Sequence, residues 1–411
     1  MRERLVVIGN GMAGLRFLER LSQHAPARFD VTVVGGEPSP AYNRILLSSL
    51  LAAEVDEPAC RFRDRPWYMR QGVRLITGAH ASHLDVAERE VAVGTMTTLP
   101  YDRLVLATGS TPIRLPKPGM DLPGVVTFRS LCDVGAIRTA AQTGARAVVI
   151  GGGLLGLEAA YGLARLGVDT TLLHVMDRLM ERQLDARAAA LVKAAMERKG
   201  VRVELQADTA EVLGESRTEA VRLADGRVLP AELVVVAVGV RPAHELARDA
   251  GLEVGRGILV DDRLATSGAG IHAIGECAEH RGLAYGLVEP AYEQADILAR
   301  RLAGHDAQYG GSVPATSLKV SGLPVFSAGL VGDDVEAEPL ILTDRAAGTY
   351  RKLLVRDDRL VGALLVGDVA EGPWYLELIR SGERVGFFRQ HLMFGRAFVP
   401  GAATVPDRKA A

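Results

Sequence analysis

Cysteine is scarce in this sequence: its 411 residues include only three, Cys60, Cys132 and Cys277, and no two of them lie close together. A Cys-x-x-Cys redox pair, a four-cysteine iron-sulfur cluster within the chain and a disulfide framework are therefore excluded. We interpret the three cysteines as isolated thiols in the core or on the surface, because free cysteine behaves as a small apolar side chain. No metal site is predicted.

Long apolar runs and an excess of one charge are also absent. Even the apolar run 233–238 is bounded by Glu232 and Gly239, far short of the roughly 18 residues that suggest a membrane helix. Residues 1–4 lead straight into the strand-like run 5–8, without the features of a secretory signal. A formal net charge of -2 gives no reason to expect nucleic acid. We therefore predict a cytoplasmic protein that binds neither membranes nor nucleic acid and has two or three domains.

One glycine pattern occurs twice, about 140 residues apart. Each copy follows an apolar, β-branched run, at 5–8 and at 147–150, and precedes a segment with helical periodicity. The pattern is typical of a strand, a tight turn and a helix whose first N–H groups bind a dinucleotide pyrophosphate. The glycines of the two copies are Gly9, Gly11 and Gly14, and Gly151, Gly153 and Gly156.

The two copies differ at the end of their second strand. After the first, the run 31–34 is followed by Glu37, which can accept hydrogen bonds from an adenosine ribose. After the second, the run 170–173 ends in His174, where an acid would normally stand. The first copy predicts an unphosphorylated ribose, whereas the second leaves NADH against NADPH open. Arg178 could meet a 2′-phosphate, although a solvated surface arginine is the simpler interpretation.

Three further runs end in residues suited to a bound dinucleotide. The run 271–274 leads to Gly275 and Glu276, and we expect this acid to bond a flavin ribitol hydroxyl. Glu289 and Pro290 begin a predicted helix, with proline suited to the first turn. The positive end of that helix could stabilise electron density on a reduced flavin. The other two runs, at 104–106 and 234–236, are followed by small residues that let the chain pass close to the ligand. These residues are Ala107, Thr108, Gly109 and Gly239.

In this order, the segments resemble the FAD- and NAD(P)-dependent pyridine nucleotide oxidoreductases. The resemblance implies an α/β protein with two Rossmann-like dinucleotide-binding domains and a small α+β C-terminal domain. It implies a discontinuous FAD domain at 1–115 and 240–310, an NAD(P) domain at 116–239, and a C-terminal interface domain at 311–411 that often forms a homodimer. In that last part we predict strands at 352–355 and 360–365, a polar turn at 356–359 and a helix at 375–380.

A finer resemblance is to the flavin-binding N-terminal portion of the assimilatory NADH-dependent nitrite reductase large subunit, with rubredoxin and ferredoxin reductases as the next neighbours. That subunit continues into an iron-sulfur and sirohaem module, whose cysteines are missing before Ala411. We expect a detached electron-input unit. The segments that carry this resemblance are 40–48, 179–185, 318–322, 350–353, 360–363 and 372–375.

The resemblance also supplies candidates for residues near the flavin. Glu158 is expected to help seat the nicotinamide, although Ser49 replaces the lysine that usually partners this glutamate. Arg44 is expected to contact the flavin pyrophosphate or ring edge. Lys319 and Trp374 are weaker candidates for flavin or partner contacts, with packing the simpler interpretation.

We therefore expect an FAD-dependent NAD(P)H oxidoreductase, with NADH favoured over NADPH. Its partner would be a protein electron acceptor: a nitrite or nitrate reductase component, a rubredoxin or a ferredoxin. The first alternative is a self-contained NAD(P)H oxidase or a peroxide or disulfide reductase, against which the lack of a cysteine in 42–49 argues. The second is a non-catalytic flavoprotein that regulates assembly through nucleotide binding.

Overall fold

The computed structural model describes residues 2–141, 144–320, 322–332 and 335–399, with backbone alone at 319 and 320. The strands of these residues are β1 Glu3–Ile8, β2 Phe29–Gly35, β3 Val73–Thr77, β4 Ala81–Asp85, β5 Glu90–Val93, β6 Thr97–Pro100, β7 Arg103–Leu106, β8 Ser110–Pro112, β9 Val125–Thr127, β10 Arg146–Ile150, β11 Asp169–His174, β12 Val201–Leu205, β13 Thr209–Leu213, β14 Ala220–Leu223, β15 Val228–Pro230, β16 Leu233–Val236, β17 Val240–Pro242, β18 Ile258–Val260, β19 Ile271–Ala273, β20 Ala278–His280, β21 Ala315–Val320, β22 Leu323–Gly329, β23 Glu338–Asp344, β24 Thr349–Arg356 and β25 Arg359–Val366. The α-helices are α1 Met12–His24, α2 Leu47–Leu51, α3 Glu57–Cys60, α4 Arg65–Arg70, α5 Leu131–Ala140, α6 Leu154–Arg165, α7 Ala186–Arg198, α8 Glu245–Asp249, α9 Val288–Leu302 and α10 Gly372–Ser381.

These elements form two compact units. Unit 1 comprises residues 2–116, 124–141 and 235–312, and unit 2 comprises 117–123, 144–234 and 313–399. Which cofactor each unit binds, and the boundaries expected from the sequence, remain predictions at this point. Among the described residues, no helix is long and apolar enough to cross a membrane.

Unit 1 is built on a parallel sheet in the order β19-β7-β1-β2-β3. Its strands are buried and rich in valine and leucine, as expected for a parallel sheet covered on its faces. Because all five strands run in one direction, their carboxyl ends share one edge. The residues that follow Ile8, Gly35, Leu106 and Ala273 therefore meet at that edge.

Helices α1 and α9 of unit 1 pack against each other. The buried side of α1 carries Leu15, Leu18 and Leu21, at the spacing of an amphipathic helix. The pair is also joined through charge, because Arg16 and Arg20 donate to the two Asp296 carboxylate oxygens at 2.7–3.1 Å.

His272 gives unit 1 a pH-dependent stability. It is 9 % exposed in the edge strand β19, and burial, aided by Arg103 and Arg301, lowers its pKa to about 4. The folded-state pKa lies below the unfolded value of about 6.5, so this contribution is complete above pH ~6.5 and is lost as pH falls toward 4. Urea unfolding should show a free energy about 2 kcal/mol smaller at pH ~5 than at pH ~7.5 from this residue. The variant His272→Gln should lose that part of the pH dependence; an unchanged profile would contradict the assignment.

Unit 2 contains a second parallel arrangement, β12-β11-β10. It also contains an antiparallel sheet in the order β21-β22-β25-β24-β23, which packs against α10. The predicted strands at 352–355 and 360–365 are confirmed within β24 and β25, joined by a turn in which Asp357 and Asp358 have positive φ. The helix predicted at 375–380 is confirmed and begins earlier, at Gly372.

Candidate functional site

The first glycine turn joins β1 to α1. Gly9 has φ +114°, and a Cβ there would lie 2.0 Å from the Ala107 carbonyl oxygen. A Cβ at Gly14 would lie 2.2 Å from the Gly9 carbonyl oxygen. Gly11 differs, because its φ is -87° and no described atom lies within 4 Å of a Cβ built there. The turn is closed on the protein side and open at Gly11, where the start of α1 presents N–H groups that suit a pyrophosphate.

The second glycine turn repeats this geometry between β10 and α6. Gly151 has φ +120°, and its N–H donates to the Leu173 carbonyl at 2.8 Å, as the Gly9 N–H donates to Val34 at 2.8 Å. Gly153 has φ -82°, and again no described atom lies within 4 Å of a Cβ there. Gly156 is buried in the first turn of α6. Both helices begin without a side-chain cap, so their first N–H groups face the open side of the turn.

His174, at the end of β11, contacts the second glycine turn directly. Its Nδ1 accepts a hydrogen bond from the Gly152 N–H at 3.0 Å, and its Nε2 lies 3.1 Å from Oε2 of Glu181. Because Nδ1 is the acceptor, the proton of the neutral ring must sit on Nε2, which donates to Glu181. The position where an acid was expected thus holds His174, whose ring bonds the glycine turn through one nitrogen and the acid Glu181 through the other.

Glu37 follows β2 and lies in a polar cluster of unit 1. Its carboxylate accepts a hydrogen bond from the Tyr42 hydroxyl at 2.7 Å. It also forms an ion pair with Arg44. Burial raises the pKa of Tyr42, so the hydroxyl remains a donor. Arg44 also donates to the Arg129 carbonyl at 2.9 Å. Arg44 therefore holds the acid expected at the ribose, while its own flavin contact stays a prediction.

Glu276, which follows β19, is held by two donors. The Ser110 hydroxyl donates to its carboxylate at 2.6 Å, and Arg129 forms an ion pair with the same oxygen. Arg129 also bonds the Ser110 hydroxyl at 2.8 Å. Arg129 was missed from the sequence, although one local signal was present: it directly precedes Ser130, which with Asp133 forms a capping box at the start of α5.

The other small residues lie where unit 1 backbones approach closely. Gly109 has φ +71° and Gly239 φ +113°, both in the region that favours glycine. The Thr108 hydroxyl donates to the Ala243 carbonyl at 2.6 Å, which fixes this turn. The Gly275 N–H donates to Gln294 of α9 at 2.7 Å, which ties the Glu276 segment to that helix.

Helix α9 begins as the sequence predicts. Glu289 is exposed and Pro290 is buried, and both lie in the first turn of the helix, where the missing N–H of proline costs nothing. Arg300 and Arg301 in the last turn complement the helix dipole. The acidic Glu289 therefore lies at the positive N-terminus of α9, and the two arginines lie at its negative C-terminus.

The remaining candidates lie apart from these clusters. Glu158 is half-buried in α6, and the Ser49 hydroxyl bonds Glu54 at 3.3 Å. Trp374 packs in the C-terminal core, with its ring centroid 5.0 Å from that of Tyr375 and 6.3 Å from that of Phe388. Lys319 is described in its backbone only, so the role predicted for its side chain lies outside the described residues.

All three cysteines are free thiols. Cys60 is buried, and burial, helped by Glu57 and Asp56, raises its pKa. Burial likewise raises the pKa of Cys277. Both groups are therefore protonated near neutral pH, which disfavours thiolate chemistry.

We expect Cys60→Ala to leave NADH-dependent flavin reduction and turnover with a protein acceptor within about twofold of the native rate, because a protonated thiol is a poor nucleophile. Stopped-flow absorbance measures the first quantity and acceptor reduction the second. The exposed Cys132→Ala is the matched control. A selective loss of turnover in Cys60→Ala would assign a redox role to this thiol.

Two glycine turns of matching geometry, each at the carboxyl edge of a parallel sheet, define an oxidoreductase of the class that binds two dinucleotides. The chain belongs to the pyridine nucleotide-disulphide oxidoreductase family, whose model matches residues 3–295. The rubredoxin NAD+ reductase C-terminal domain matches residues 314–383. The predicted family and α/β fold class are confirmed.

Relatives of known function extend this result. The chain is 43 % identical over 381 residues to a nitrite reductase [NAD(P)H] of Bacillus subtilis, covering 92 % of this chain and 47 % of that protein. It is 42 % identical over 393 residues to the assimilatory nitrate reductase electron transfer subunit of the same organism, covering 95 % and 51 %. The chain thus spans about half the length of these two relatives.

In two further comparisons, the similarity covers almost the whole length of both compared chains. The ferredoxin--NAD(+) reductase subunit of the benzene 1,2-dioxygenase system of Pseudomonas putida is 33 % identical over 373 residues, covering 89 % of this chain and 90 % of that protein. The reductase in the covalent putidaredoxin reductase–putidaredoxin complex superposes with a TM-score of 0.86 at 26 % identity, covering 93 % and 94 %.

Proposed function

We propose that the chain takes electrons from NADH and passes them through FAD to a separate redox protein. The acceptor is a nitrite or nitrate reductase component, or a small carrier of the rubredoxin or ferredoxin type. The proposal places the reaction in the cytoplasm, with FAD bound by unit 1, NADH by unit 2, and the C-terminal sheet available for a homodimer.

The observation that supports the proposal most strongly is that the chain has two open glycine turns while its three thiols are isolated from one another. Gly11 and Gly153 each leave room for a ligand at a helix N-terminus, so the chain has a site for each of two dinucleotides. The buried Cys60 has no disulfide partner and a raised pKa, so no dithiol stands ready to take electrons from a flavin. Electrons that enter from a nicotinamide therefore leave to another molecule.

The residues of unit 1 fit FAD. The open side of the Gly11 turn suits the pyrophosphate, while the carboxylates of Glu37 and Glu276 suit hydroxyl groups of the ribose and the ribitol. Arg129 would orient Glu276, and Arg44 would orient Glu37, through the ion pairs already described. When bound, FAD supplies hydride acceptance from NADH and release of electrons one at a time.

The relatives favour a protein acceptor over dioxygen. One is an assimilatory nitrate reductase electron transfer subunit, and another is a ferredoxin--NAD(+) reductase subunit. The fold also matches a reductase solved in complex with putidaredoxin.

The test is anaerobic reduction of the purified flavoprotein by NADH and, separately, by NADPH, followed by mixing with oxidised rubredoxin, ferredoxin or the iron-sulfur and sirohaem portion of a nitrite reductase. We expect NADH to bleach the visible flavin absorbance and at least one acceptor to restore it in stoichiometric amounts. Failure of both nucleotides to bleach the flavin would overturn the proposal. Reoxidation by dioxygen or peroxide that outpaces every acceptor would instead establish a self-contained oxidase or peroxidase.

A further inference from the structure

We propose that Glu181 is the carboxylate that reads the adenosine ribose of the nicotinamide nucleotide, and that His174 positions it. The inference rests on the proposed binding of a nicotinamide nucleotide at the second glycine turn. It identifies the residue that favours NADH over NADPH. The acid expected at the end of β11 is not missing but displaced by seven residues along the chain.

The location of Glu181 is fixed by the glycine turn itself. The Gly152 N–H donates to His174 at 3.0 Å, and the Gly152 carbonyl accepts from the Met180 N–H at 3.0 Å. The segment that carries Glu181 is therefore folded back onto the same peptide that forms the turn. A ribose bound there lies beside the end of the second strand, where a carboxylate on the 2′-hydroxyl is needed.

The backbone before Glu181 is held in an uncommon conformation. Met180 has φ +50°, in the left-handed region that residues other than glycine seldom adopt. Leu179 and Met180 are buried, at 0 % and 1 % exposure, and anchor the segment in the core. The Leu184 N–H closes the turn by donating to the Met180 carbonyl at 2.9 Å. A strained and anchored turn is suited to presenting one side chain in one direction.

The His174 and Glu181 side chains have different roles: His174 orients the carboxylate, and Glu181 presents it to the ligand. His174 is 8 % exposed, while Glu181 is 27 % exposed and so reaches solvent. The His174 Nε2 proton satisfies one carboxylate oxygen, Oε2, at 3.1 Å. A carboxylate oriented in this way can accept from the 2′- and 3′-hydroxyls of NADH, whereas it repels the roughly two negative charges of a 2′-phosphate.

The nearby cations do not reverse this preference. Arg178 lies 3.4 Å from Asp177 and is 35 % exposed, and Arg182 is exposed. The neighbouring Asp177 offsets the charge of Arg178, whereas the hydrogen bond from His174 orients the Glu181 carboxylate. We therefore expect Arg178→Gln to change NADP(H) binding by less than about threefold.

The experiment uses equilibrium binding of ADP-ribose and 2′-phospho-ADP-ribose to the full flavoprotein, measured by titration calorimetry, because neither ligand undergoes redox chemistry. Native protein should bind ADP-ribose at least about tenfold more tightly. Glu181→Gln should reduce that ratio toward one. Glu197→Gln is the matched control in the same unit, because it removes an equivalent surface charge near the far end of α7, and it should leave the ratio unchanged.

Two variants of His174 test the positioning role. Asparagine can place its amide oxygen near the position of Nδ1 and keep the Gly152 bond, but it cannot reach Glu181. Glutamine can place its amide nitrogen near the position of Nε2 and keep the bond to Glu181. We expect His174→Asn to lower the ligand ratio as Glu181→Gln does, and His174→Gln to retain most of it.

The outcomes separate this inference from the proposed function. If neither ligand binds and neither nucleotide reduces the flavin, the proposed function fails. If NADH reduces the flavin but Glu181→Gln leaves the ligand ratio unchanged, the assignment of Glu181 is wrong and the function stands. Thermal unfolding of each variant, matched to the native protein, excludes misfolding as the cause of a lowered ratio.

Discussion

Gly11→Val should weaken FAD binding by about 100-fold or more, while Gly153→Val should leave FAD bound and weaken nicotinamide binding to a similar extent. Each change removes several charge-assisted hydrogen bonds between a pyrophosphate and a helix N-terminus, at about 1.5–3 kcal/mol each. The fold should survive, because both glycines have extended backbone angles that any residue adopts. Flavin content after gel filtration measures the first effect, and NADH titration measures the second.

The neighbouring glycines supply a contrast that separates ligand loss from misfolding. Gly9→Ala should unfold unit 1, because its Cβ would overlap the Ala107 carbonyl and its φ is +114°. Gly135→Ala in α5 is the neutral control: its Cβ meets no described atom within 4 Å, and alanine is the better helix former. Full FAD content in Gly11→Val would show that the first turn does not hold the flavin.

Asp185→Asn should destabilise unit 2 by about 1.5–3 kcal/mol, because it removes a carboxylate that forms an ion pair with the buried ammonium of Lys352. Asp185 and Lys352 are 5 % and 6 % exposed at the side chain, with Nζ 3.4 Å from Oδ2. Asparagine keeps one of the two other bonds as an acceptor. Its oxygen can still cap α7, where Oδ1 accepts from the Ala188 N–H at 2.9 Å. The amide NH2 that replaces Oδ2 can only donate to the Tyr350 hydroxyl, which in the native protein donates to Oδ2 at 2.6 Å. Urea unfolding followed by far-ultraviolet circular dichroism measures the change.

The double variant Asp185→Asn with Lys352→Met should lose less stability than the sum of the two single variants, because both changes remove the same ion pair. Glu197→Gln, which breaks the exposed pair with Lys193, should cost less than about 0.5 kcal/mol. Equal losses in Asp185→Asn and Glu197→Gln would mean that the buried pair is not energetically coupled.

Local sequence signals predict the parts of the site that each depend on a few consecutive residues. Gly9 and Gly151 could be found because a strand, a left-handed glycine and a helix follow one another within a dozen residues. The place of Glu37 and Glu276 in the fold could be predicted because the carboxyl ends of parallel strands share one edge, where a dinucleotide is expected to bind.

Contacts between distant segments could not be predicted in this way. Arg129 is 147 residues from its partner Glu276, and Asp185 is 165 residues from Tyr350. The resemblance did single out the segments 179–185 and 350–353, but not the reason for them. The structure supplies it, since those two segments meet in the buried group formed by Asp185, Tyr350 and Lys352.

The position of β19 beside β7 affects how this chain can fold as it leaves the ribosome. Strand β7 ends at Leu106, and its neighbour β19 begins at Ile271. At about 5–20 residues per second, translation needs on the order of ten seconds to supply the missing strand. Throughout that interval the nascent chain carries an apolar, unpaired backbone edge, and α1 lacks the cover of α9. The segment 107–270, which separates the two strands, is therefore synthesised while the edge of β7 that β19 covers in the folded protein is still unpaired.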